Sequence, residues 1–79
     1  MRLKDVIELI RVDMPDYTEG AFDIKVESDD GGSHITIYME DHKNSQKVLD
    51  DFCTRFEEYR IIVMLVPENF LHREFRKKL

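Results

Sequence analysis

Phe22-Asp23-Ile24-Lys25-Val26-Glu27, then Ser28-Asp29-Asp30-Gly31-Gly32-Ser33, then His34-Ile35-Thr36-Ile37-Tyr38-Met39: the reading of residues 22–39 decides the fold. In the outer segments apolar and polar residues alternate, which places one kind on each side of a pleated strand. The six residues between them are short, polar or glycine, the composition a chain reversal needs. The stretch therefore predicts a β-hairpin with Phe22, Ile24, Val26, Ile35, Ile37 and Met39 on the buried face. Asp23, Lys25, Glu27, His34, Thr36 and Tyr38 fall on the other face.

On the N-terminal side the period changes. Leu3, Val6, Ile7, Ile10 and Met14 repeat at helical spacing, and Pro15 ends that pattern by biasing its predecessor out of the helical region. Asp16 to Gly20 then reads as a loop. On the C-terminal side Asp41, Asn44 or Ser45 can each cap a second helix, whose stripe is Val48, Leu49, Phe52, Phe56 and Tyr59. Next comes Ile61-Ile62-Val63-Met64-Leu65-Val66, short, rich in β-branched residues and closed by Pro67. Its length favours a third strand buried on both faces. Pro67 suits the first position of a final helix carrying Leu71, Phe75 and Leu79.

The expected fold class is α+β, one domain over residues 1–79, in the order α-β-β-α-β-α. Because β-α-β crossovers are right-handed, the first two helices should cover one face of a three-stranded sheet, with the C-terminal helix on or beside the other. This element order resembles the type II KH arrangement. The resemblance is topological: the glycine-containing turn with which KH domains grip a nucleic-acid backbone has no counterpart, since Gly31 and Gly32 sit in the hairpin.

Composition narrows the function. Twelve Lys and Arg against 17 Asp and Glu give a net charge of −5, which argues against bulk attraction to nucleic acid or anionic membranes. One cysteine precludes an intramolecular disulfide, no apolar run approaches a membrane span, and acids interrupt Met1 to Met14 where a signal peptide would be apolar. The expected compartment is the cytoplasm.

Four surfaces stand out. The acids Asp50, Asp51, Glu57 and Glu58 project away from the Phe52 and Phe56 stripe and offer a negative face to a partner protein with a basic surface. Leu9 and Val12 lie off the main stripe of the first helix. The third strand, apolar at every position, must send either Ile61, Val63 and Leu65 or Ile62, Met64 and Val66 to the second sheet face. There the final helix covers them, or a partner or second copy does. The basic tail, Arg73, Arg76, Lys77 and Lys78, together with Tyr38, is the set a nucleic-acid contact would use.

No catalytic, metal or cofactor site is expected. Asp29 to Glu40 has the length of a calcium loop, but Gly31 occupies a ligand position and His34 the required glycine. His34, His42, His72 and Cys53 lack paired zinc-ligand spacing. Cys53 borders an apolar stripe, which suits a packed thiol rather than a nucleophile. The expectation is a small non-enzymatic protein-binding regulator or inhibitor acting through the acidic surface or an apolar patch, a monomer rather than a homodimer. The alternative is a nucleic-acid-binding domain of KH-like topology.

Overall fold

The computed structural model describes residues 1–40, 42–67 and 70–71. The order is α1 (Leu3–Asp13), a single 3-10 turn (Met14–Asp16), β1 (Phe22–Asp29), β2 (Gly32–Met39), α2 (Ser45–Arg55) and β3 (Ile61–Leu65). Helix α1 ends where Pro15 was expected to end it, and Asp5 in its first turn and Arg11 in its last complement the helix dipole. The hairpin is tighter than its polar segment suggests. The strands extend to Asp29 and Gly32, which pair directly, leaving Asp30 and Gly31 as the loop. Gly32 has φ of +104°, a region that side chains with a Cβ rarely enter.

The sheet order is β1-β2-β3, antiparallel between the first two strands and parallel between the last two. In register, Ile24, Ile37 and Val63 lie side by side, as do Ile35 and Ile61. That face meets Val6, Ile10 and Met14 from the N-terminal helix and turn, and Val48 and Phe52 from α2, in one core. Phe52 anchors it, edge-on to Tyr17 with ring centres 5.4 Å apart and stacked on Phe56 at 6.2 Å. Val26, expected on the buried face, is 45% exposed.

Helix α2 is shorter than its apolar stripe implies. The backbone leaves the helix at Phe56, so Tyr59 packs from a turn rather than from the helix. Asn44 is the N-cap residue, but its side-chain amide donates to the Tyr17 carbonyl, and Ser45 donates to the carbonyl of His42. Asp41, the third candidate cap, lies outside the described residues.

The expected C-terminal helix, with Phe75 and Leu79, also lies outside the described residues from position 72 onward. The described part shows a return toward β2. Phe70 N–H donates to the Pro67 carbonyl at 3.0 Å, and Leu71, 5% exposed, donates its N–H to Glu40 Oε2 at 3.0 Å. Among the described residues no helix is long and apolar enough to cross a membrane.

Candidate functional site

The third strand is where the structure corrects the sequence reading. A run apolar at every position reads as buried on both faces, but β3 stands at the edge of the sheet. Its register assigns the two sides: Ile61, Val63 and Leu65 share the helix-covered face with Ile35, Ile37 and Met39, while Ile62 and Met64 share the second face with Thr36 and Tyr38. Burial falls along the strand from Ile61 to its end, where Met64 is 48% and Leu65 45% exposed on opposite faces.

The backbone of β3 is asymmetric in the same way. Ile35 N–H donates to the Arg60 carbonyl at 2.9 Å and Val66 N–H to the Met39 carbonyl at 3.0 Å, so Arg60, Ile62, Met64 and Val66 turn their peptide groups toward β2. Ile61, Val63 and Leu65 therefore turn theirs outward. The Ile61 carbonyl has the Cys53 thiol 3.8 Å away, and burial pushes that thiol's pKa up, with Asp50 adding to the effect. Among the described residues no strand pairs with the outer side. Residues 61–66 carry no charge and no proline, the features that usually blunt a free edge.

The opposite edge is protected. Along β1 Asp23, Lys25 and Glu27 alternate, and Asp23 Oδ1 accepts the N–H of Ile24 at 2.9 Å, capping a group that faces away from β2. The second face beside it is a closed polar network. Tyr38 donates its hydroxyl to Glu27, which raises the tyrosine's pKa and lowers the carboxyl's, and Lys25 Nζ sits 5.5 Å from the centre of the Tyr38 ring. Asp29 accepts both Arg60 nitrogens at 3.2 Å and the Gly31 N–H at 2.8 Å, which hold its carboxyl below the ordinary range. Nδ1 of His34 stands 3.7 Å from the same carboxylate.

The acidic face is less uniform than its sequence suggests. Asp50 accepts from Gln46 at 2.9 Å, and Asp51 accepts the Tyr17 hydroxyl at 2.9 Å. Glu57 and Glu58 lie in the turn after α2, not on the helix, and with Thr54 and Arg55 they frame an open depression. Arg55 itself pairs with Asp13. The Leu9 and Val12 pair divides: Leu9 packs against the core while Val12 is 69% exposed. Arg73, Arg76, Lys77 and Lys78 lie outside the described residues.

Among the described residues no three His, Cys, Asp or Glu side chains converge as metal ligands. A cavity lined by Leu3, Val26, Ser33, His34, Ile35 and Tyr59 measures about 60 Å³, short of the roughly 300 Å³ at which small-molecule sites begin, and the depression beside Glu57 and Glu58, about 490 Å³, lies open to solvent rather than enclosed. No protein-family description, curated protein or solved structure matches this chain.

Proposed function

We propose that this protein is a small, non-catalytic, cytoplasmic binding module that takes up another polypeptide along the outer edge of β3, adding a strand to its sheet. The observation that supports this reading is the uncharged edge itself, with outward peptide groups at Val63 and Leu65 and half-exposed side chains at Met64 and Leu65. In strand addition the main-chain hydrogen bonds supply affinity and alternate side chains supply selectivity. The acidic surface around Asp50, Asp51, Glu57 and Glu58 is a steering feature in this reading, because its first two carboxylates already serve intramolecular bonds. A nucleic-acid role would require Tyr38 to stack on a base while its hydroxyl is held by Glu27 and Lys25 lies by its ring.

The test is affinity capture from a lysate of the source organism with three tagged baits. The wild-type bait should retain a polypeptide, counting untagged copies of the protein itself. Leu65→Arg should lose it, and the Asp50→Lys, Glu57→Lys double variant should keep it with slower association. If wild type retains nothing that Leu65→Arg does not, the edge is not a binding surface.

A further inference from the structure

We infer that the chain occupying the β3 edge is a second copy of this protein, paired antiparallel about a two-fold axis at Met64. The inference rests on the edge being a binding surface and names what binds there. Its first support is the pattern of peptide groups. With Met64 opposite Met64 of the other copy, Val63 falls opposite Leu65 and Leu65 opposite Val63. Both residues turn their N–H and C=O groups outward from β2, so each pair exchanges two hydrogen bonds. At the next outward position Ile61 falls opposite Pro67, which has no N–H to donate, and the Ile61 carbonyl is the one already approached by the Cys53 thiol at 3.8 Å. The alternative axis at Val63 would set Ile61 against Leu65 and require that carbonyl to leave the thiol.

The second support is side-chain complementarity. Met64, 48% exposed, meets its own copy across the axis on the second sheet face. Leu65, 45% exposed, meets Val63 on the helix-covered face. The two largest exposed apolar side chains of β3 are thus covered by the same operation that pairs the backbone, as an isologous contact requires.

Charge is the third support. Residues 61–66 carry no charge, so in a chain of net charge −5 the pairing brings no like charges together along the strip itself. The β1 edge, with Asp23, Lys25 and Glu27 and the capped Ile24 N–H, is less suited to the same pairing.

The test uses the purified full chain. Wild type should sediment as a concentration-dependent dimer. Met64→Lys, which sets two like charges against each other at the axis, should weaken dimerisation at least about tenfold while leaving the far-ultraviolet circular dichroism unchanged. In a Cys53→Ser background, which keeps a donor beside the Ile61 carbonyl, Met64→Cys should cross-link quantitatively under mild oxidation, because residues facing each other in a non-hydrogen-bonded pair lie about 4.5 Å apart at Cα, within disulfide reach. Leu65→Cys in the same background should not, since its copy is displaced by two residues along the strand. A wild-type chain that remains monomeric at about 0.5 mM, or a dimer indifferent to Met64→Lys with no Met64→Cys cross-link, would overturn the inference. If the chain is monomeric but lysate capture still depends on Leu65, the binding edge stands and only its occupant is wrong. If both fail, both readings fall.

Discussion

Asp29 holds together two parts of the local architecture. It fixes the two-residue loop through the Gly31 N–H and ties the hairpin to the start of β3 through Arg60. The Arg60 guanidinium is the larger cause of its lowered pKa, followed by that N–H. A carboxyl held lower in the folded chain than in the unfolded one contributes stability above its ordinary pKa, and that contribution is lost as the pH falls through its folded value. Replacing Arg60 with Gln should therefore lower the urea midpoint near neutral pH, and the gap from wild type should close below about pH 4. Urea titrations at several pH values read this directly; a gap that persists undiminished at pH 2 would mean that Arg60 acts through packing instead. Asp29 and Arg60 are 31 residues apart in sequence, and only the parallel alignment of β3 on β2 brings them together. No local pattern announces such a pair.

At the level of elements, the helices show how far periodicity reaches. The stripe of α1 places Val6 and Ile10 in the core, with Met14 beyond its end, as spacing requires, yet Leu9, read as lying off that stripe, also packs against the core. The stripe of α2 runs past the helix end, because apolar spacing records which side chains are buried and not where the backbone changes course at Phe56. Phe52, fully buried between Tyr17 and Phe56, should be the costliest single position: Phe52→Ala is expected to remove about 3–5 kcal/mol, a large share of what so small a domain possesses. Val12→Ser, on an exposed position of α1, should change stability by less than about 0.5 kcal/mol. Equilibrium unfolding of the two variants beside wild type checks both, and comparable losses would show that α1 and α2 do not bury the faces described.

Across the whole molecule, Leu71 joins the folded body after β3: its side chain is buried and its N–H reaches Glu40 just past the end of β2. Leu71→Ala should cost about 2–5 kcal/mol, while Phe70→Ser, at an exposed neighbouring position, should cost much less. Thermal unfolding of the pair separates a packed return from a loose one, which equal melting temperatures would indicate. The sequence by itself determined the hairpin, both helical stripes and the first five elements of the expected α-β-β-α-β-α order, because these are written in local periods of two or 3.6 residues and in the unbroken apolar run of residues 61–66. It did not determine the place of β3 in the sheet. Alternation reports that a side chain leaves water, but the same apolar run suits a central strand and an edge strand. Only the strand order β1-β2-β3, a long-range pairing between residues about 26 positions apart, made Met64 and Leu65 a surface rather than a core. The candidate site is thus a property of tertiary assembly, since peptide groups become available for binding only where no neighbouring strand has taken them.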